Sequence, residues 1–234
     1  MGLTPGSAEQ RFPGYDVMRQ QPAWDEATTS VVTARLGGSD TPRFFTAEEE
    51  PAVRALLDRL LAQDEEPRVP VFEVIDQRLA ERRGDGFRYE DLPHDPEAWR
   101  QSIAALNDSA LNDFGRPFSQ LRHRQQRGII EAVRVCKGKW HGLPAERLFS
   151  LWMRYACSAF YAHPWAWNEI GFGGPAYPRG YKYLALGGRE PWEVEERDAQ
   201  DPVPWAERAE GAKKRHAAGL SSSDAALRGA DEGG

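Results

Sequence analysis

The residues of this 234-residue chain whose types could do chemistry are its histidines, its two cysteines and one arginine set inside an apolar run. His141 and His163 flank a strongly apolar stretch that starts at Pro144, and Glu169 follows shortly after. Two imidazoles and a carboxylate are a possible metal set, or a general base with its partner. The spacing argues for something plainer, because neither Glu-x-x-His nor His-x-x-x-His occurs, so histidines meeting backbone carbonyls at helix ends is the favoured reading. His94 falls in a loop, and His123 lies between Arg122 and Arg124 on what reads as a solvated helix face. Arg154 sits among apolar neighbours, where a charge needs a partner. That partner is either an early-helix glutamate or Asp58 within the chain, or a carboxylate on another subunit, which the arginine fork also suits. Cys136 and Cys157 lie in apolar helix patterns without metal or redox spacing, and are expected to be buried, reduced and metal-free.

Other catalytic signatures are missing. There is no G-x-S-x-G and no C-x-x-C-H. Gly171-Phe172-Gly173-Gly174 is glycine-rich, but it follows a helix pattern instead of a strand and opens nothing helical. A pyrophosphate-binding turn needs the strand context, so the chain is expected to hold no flavin or nicotinamide of its own.

The element that must position these residues is the stretch 144–183. Leu148, Leu151, Trp152, Tyr155 and Ala159 share one helical face, and Phe149, Met153, Ala156 and Phe160 fill the adjoining stripe. Apolar surface on two stripes calls for neighbours on several sides, so this is read as the central helix of an all-α bundle. From Pro164 onward, prolines and glycines interrupt every regular pattern, and the segment is read as a loop. It nevertheless carries Trp165, Trp167, Phe172, Tyr177, Tyr181 and Tyr183, just after Tyr161 at the helix end. Aromatics of this density either cover the domain's own core or form a partner surface. The second reading is adopted, with Tyr161, Trp165, Trp167, Phe172, Tyr177, Tyr181 and Arg154 as its candidate residues.

The remaining elements are helices. Asp25 can cap a short one anchored by Trp24, Val31, Val32 and Leu36. Thr46 and Glu49 form a capping-box signature ahead of Val53, Leu56, Leu57, Leu60 and Leu61. Val71, Phe72, Ile75 and Leu79 mark a further helix, closed by cations before Gly84. Asp95-Pro96 reads as N-cap and first residue of the next, which carries Trp99, Ile103 and Leu106 with Leu111 and Phe114 in continuation. Another is expected from Phe118 to Cys136, and no strand pattern is strong enough for a sheet. The expectation is an irregular all-α bundle of five or six helices, with a core that includes Leu57, Phe72, Ile75, Trp99, Ile103, Ile130, Leu151, Trp152 and Tyr155. Residues 1–43 read as an N-terminal extension, 44–192 as the helical domain and 193–234 as a polar, largely disordered tail.

A net charge of −6 excludes a non-specific nucleic-acid binder. No apolar run approaches the ~18 residues of a membrane span, and no signal-like segment opens the chain, so it is expected in the cytoplasm unless it travels with an exported partner.

The motifs Phe44–Glu49 (FFTAEE), the LLDRLLAQD continuation, Val71–Leu79 (V-x-x-x-ID-x-x-L), and LFSLWMRYACSAFYAHP followed by WNEIGFGGPAYPRGY resemble the gluconate 2-dehydrogenase subunit 3 family. The likeness runs from about Phe44 to Trp192. Family members often have Y-G-G-N after the proline, where this chain has Trp165-Ala166-Trp167-Asn168. The resemblance implies a non-catalytic small subunit of a bacterial sugar or alcohol dehydrogenase. Its implied partner is a large glucose-methanol-choline-type subunit that binds FAD, in some cases with a cytochrome subunit. Two other readings remain open. One is a helical enzyme with its own site near His141, His163, Arg154 and Glu169; the other is a stand-alone interaction protein.

Overall fold

The computed structural model describes residues 12, 14–37, 41–64, 66–84, 86–183 and 190–194. Among them are seven α-helices: α1 (Glu26–Ala34), α2 (Glu50–Leu61), α3 (Val71–Ala80), α4 (Asp95–Phe114), α5 (His123–Val135), α6 (Ala145–Tyr161) and α7 (Pro164–Ile170). Short 3-10 helices at Val17–Ala23 and Phe118–Gln120 precede α1 and α5. A small hairpin, β1 (Lys139–Trp140) and β2 (Leu143–Pro144), joins α5 to α6. The fold is all-α, as the periodicities indicate. No described helix is long and apolar enough to cross a membrane. The disorder expected at the extreme termini falls almost wholly outside the described residues.

The central role of α6 follows from its two apolar stripes. It packs against α2, α3, α4, α5 and α7. Leu148, Leu151, Trp152, Tyr155, Ala156 and Ala159 are buried, while Phe149, Met153 and Phe160 are half-buried. All nine core residues expected from the sequence are buried, and Trp99 and Trp152 are fully enclosed. Aromatic interlocking continues through the core, with Trp99 edge-on to both Phe45 and Tyr155.

Few polar groups enter this core, and most are paired. Trp152 Nε1 donates to Ser102 Oγ at 3.0 Å, and the Ser102 hydroxyl donates in turn to the Trp99 carbonyl at 2.8 Å. Asp76 accepts the backbone N–H groups of Arg43, Phe44 and Phe45 at 2.6, 3.0 and 2.8 Å, which fixes the chain entering α2. Thr46 and Glu49 then form the expected capping box, each side chain accepting from the other's backbone N–H.

Five local readings need correction. The 118–136 segment is broken at Leu121–Arg122, and α5 restarts with the Gln125 side chain accepting the Arg122 N–H. Asp95 is the first helical residue of α4 and not its cap, since its carboxylate is taken by α6. A hairpin forms where no strand was expected, because His141 (φ 48°) and Gly142 (φ 84°) supply the two left-handed residues of a tight turn. Val31, Leu36, Leu111 and Phe114 are exposed, and both cysteines are half-buried free thiols instead of fully buried ones.

Candidate docking surface

The surface is built outward from the end of α6. Here the sequence reading fails first: residues 164–170 are helical, not loop. His163 makes this possible. Its Nδ1 accepts the Trp165 N–H at 3.2 Å as a cap, Pro164 occupies the first turn, and Gly171 (φ 70°) closes the helix in the left-handed conformation. His163 is buried, and burial lowers its pKa from 6.5 to about 4, so the ring stays neutral and keeps its acceptor.

Helix α7 turns its two tryptophans inward. Trp167 is only 5% exposed, donates its indole N–H to the Tyr161 carbonyl at 2.7 Å, and packs with Val17, Trp24 and Val32 in a second small core. Trp165 is half-buried against the main core and edge-on to His163. Neither has the exposure of a docking anchor. The proposed Trp165/Trp167 patch is therefore corrected to a structural one.

The occupant of that second core is the N-terminal stretch, which the sequence reading set apart as an extension. Asn168 holds it: Oδ1 accepts the Val17 N–H at 2.7 Å and Nδ2 reaches Asp16 at 3.4 Å. Tyr15 donates to the Phe172 carbonyl at 3.1 Å, and burial, with Asp16 adding to it, pushes the Tyr15 hydroxyl up to about 12. Arg35 donates to the Ala162 carbonyl at the end of α6 and lies over the Trp167 ring. The glycines of the 171–174 turn fit the same contacts. A Cβ on Gly171 would stand 2.7 Å from the Phe12 ring, one on Gly173 2.8 Å from Trp192, and one on Gly174 2.9 Å from both Val17 and Trp24. The turn is a cradle for side chains of this same chain, and the missing Cβ atoms are what let them come so close.

With the cradle filled from within, the next ring of side chains faces outward. Tyr161, Ile170, Phe172, Tyr177, Tyr181 and Tyr183 are between 40 and 66% exposed, and they are half of the twelve exposed large apolar side chains among the described residues. They are not loose. Phe172 is edge-on to Trp167, and Tyr181 packs on Trp192, whose other neighbour is the Arg179 guanidinium. Arg179 in turn donates to Gln20 and the Pro175 carbonyl. Amphipathic rings held on a pinned backbone are the makeup of an interface hot spot.

The remaining candidates do not join this surface or each other. Arg154 pairs with Asp95 at 3.4 Å, not with Asp58 or an early glutamate, and Asp95 also accepts the Tyr155 hydroxyl at 2.7 Å. Burial and that bond raise the Tyr155 pKa. His141 is exposed at the hairpin turn with Nε2 2.9 Å from Ser109 Oγ. It is separated from His163 by the 17 residues of α6, about 25 Å of helix, so the two cannot share an ion. Among the described residues no three His, Cys, Asp or Glu side chains are grouped to hold a metal. The sequence offered no direct signal for Asn168, Tyr15 or Ile170. Only the unexplained aromatic content of residues 12–24 hinted that something had to receive it.

The described residues thus form an all-α fold with a dense apolar core and a concentrated exposed aromatic surface. The gluconate 2-dehydrogenase subunit 3 model matches residues 47–174, and the chain belongs to that family, whose name is that of a subunit of a dehydrogenase complex. No curated protein and no solved structure matches it. The match runs from the α2 cap through the glycine cradle and stops short of Tyr177 and Tyr181.

Proposed function

We propose that the protein is a non-catalytic small subunit that docks on and stabilises the catalytic chain of a sugar or alcohol dehydrogenase. That chain is taken to be an FAD-dependent protein of the glucose-methanol-choline type, which carries the flavin and the chemistry. In this reading a cytochrome subunit is the third member of the complex. The observation that carries the proposal is the aromatic surface from Tyr161 to Tyr183, six exposed rings and aliphatic groups on one short stretch braced from behind. A catalytic role for this chain finds no comparable support: His141 and His163 lie at opposite ends of α6, His163 caps α7, and Arg154 pairs with Asp95.

The test is co-expression with the glucose-methanol-choline-type flavoprotein of the same organism. Loss of soluble, flavin-loaded large subunit in the absence of this chain, and recovery in its presence, is the expected result. Dehydrogenase activity in the purified small chain alone would overturn the proposal.

A further inference from the structure

A cleft of about 700 Å³ opens between the end of α3, the loop that follows it and the start of α4. Apart from Tyr155, its lining residues are far in sequence from the aromatic surface, and the cleft takes no part in the proposal above. Its lining is unlike the rest of this acidic protein. Five arginines, Arg78, Arg82, Arg83, Arg88 and Arg100, face two carboxylates, Asp95 and Glu97. Both carboxylates are already engaged: Asp95 by Tyr155 and Arg154, and Glu97 by the Gln101 side chain at 2.8 Å.

The arginines divide into braced and presented groups. Arg100 lies over the Phe44 ring at 4.4 Å and is held by Glu49, and Arg78 lies over Tyr155 at 4.7 Å while donating to the Arg83 carbonyl at 2.9 Å. Arg83 pairs with Glu81. Arg82 has no side-chain partner among the described residues, and Arg88 has only a long 3.4 Å bond to the Leu92 carbonyl. Arg82 is also in the left-handed region at φ 51°, a conformation L-residues rarely adopt. Phe87, next to Arg88 in sequence and also lining the cleft, is 56% exposed and edge-on to Tyr89.

This pairing selects the occupant. An inorganic anion would satisfy the arginines and leave Phe87 and the Leu79 side of the floor wet. An extended acidic peptide with one apolar side chain between its carboxylates meets both demands, since arginine forks suit carboxylates and the ring offers an anchor point. We infer that this cleft is a second docking site, for an acidic segment of the dehydrogenase partner; this rests on the subunit reading above.

The experiment uses the full chain and a fluorescein-labelled peptide of Asp and Glu residues around a central Phe, followed by anisotropy. Saturable binding at about 50 mM salt is expected, weakened several-fold as salt rises to about 300 mM, because exposed charge pairs are screened over a Debye length. Arg82→Glu with Arg88→Glu should weaken it at least ~10-fold, as like-charge contacts do at an interface. These two side chains lie outside the core, and circular dichroism will confirm that the variant is folded. Tyr177→Ala with Tyr181→Ala should leave peptide binding unchanged. No saturable binding, unaltered binding by the double arginine variant, tighter binding of a single-stranded oligonucleotide, or full displacement by millimolar phosphate would each overturn the inference. In co-purification with the flavoprotein, loss on the tyrosine variant but not on the arginine variant overturns the cleft and keeps the subunit reading. Loss on neither overturns the cleft and the aromatic surface alike, and leaves the subunit reading to the co-expression test above.

Discussion

Replacing Gly174 by alanine tests the cradle directly. Gly174 sits at φ +79°, and an added Cβ would lie 2.9 Å from Val17 Cγ2 and Trp24 Cζ2. Two costs follow. The left-handed conformation costs an L-residue about 1–2 kcal/mol, and forcing a methyl group into a packed contact costs about 1–3 kcal/mol more. Gly180, on the same loop at φ +70° with nothing within 4 Å of its would-be Cβ, carries the first cost without the second. The difference between Gly174→Ala and Gly180→Ala therefore isolates the contact with the N-terminal stretch. The natural readout is the exchange rate of the Val17 amide proton, which is buried on Asn168 Oδ1. A total of about 3 kcal/mol in Gly174→Ala should speed its opening by roughly 100-fold, against about tenfold in Gly180→Ala. Equal rates in the two variants would show that the N-terminal stretch does not press on the turn, and the account of the second core would fail.

Three further outcomes follow from the same geometry. Because the folded pKa of His163 is lowered, the unfolded chain binds its proton first as pH falls from about 6.5 to about 4. Stability contributed by the neutral ring is full above that window and lost through it, by up to about 3 kcal/mol. His163→Asn keeps a cap without titrating, so that part of the slope in urea-unfolding midpoints should vanish; an unchanged slope would reject the assignment. Asp76→Ala strands three backbone donors, one of them fully buried, and should cost about 3 kcal/mol in denaturant unfolding, whereas a loss under about 1 kcal/mol would mean the α2 entry is held otherwise. Trp167→Ala should lower stability by about 3–5 kcal/mol, while Tyr177→Ala should leave it within about 0.5 kcal/mol and weaken partner binding instead.

What the sequence made legible was periodic. The faces of α2, α3, α4 and α6 and the capping box at Thr46 could be read because apolar spacing and cap chemistry act within one helix. The surface was harder, since its layout depends on contacts across more than 150 residues, such as Val17 to Asn168 and Tyr15 to Phe172. Proline and glycine suggested a loop, but Pro164 at the first turn and Gly171 just past the last are helix punctuation, and His163 as cap was not among the residue types that signal one. Tryptophan content drew attention to residues 161–183. It could not say that Trp167 serves the N-terminal stretch while Phe172, Tyr177 and Tyr181 face outward, because inward and outward rings alternate there without a helical or strand period. Arg154 needed a partner as expected, and only the packing of α4 against α6 identified it as Asp95.

Hydrogen-exchange mass spectrometry of the chain, free and in complex with the proposed flavoprotein partner, tests the central claim most directly. The account predicts that peptides covering residues 170–183 gain protection in the complex, while those from the centre of α6, already enclosed by neighbouring helices, do not change. A stable complex in which residues 170–183 exchange as fast as in the free chain would contradict it.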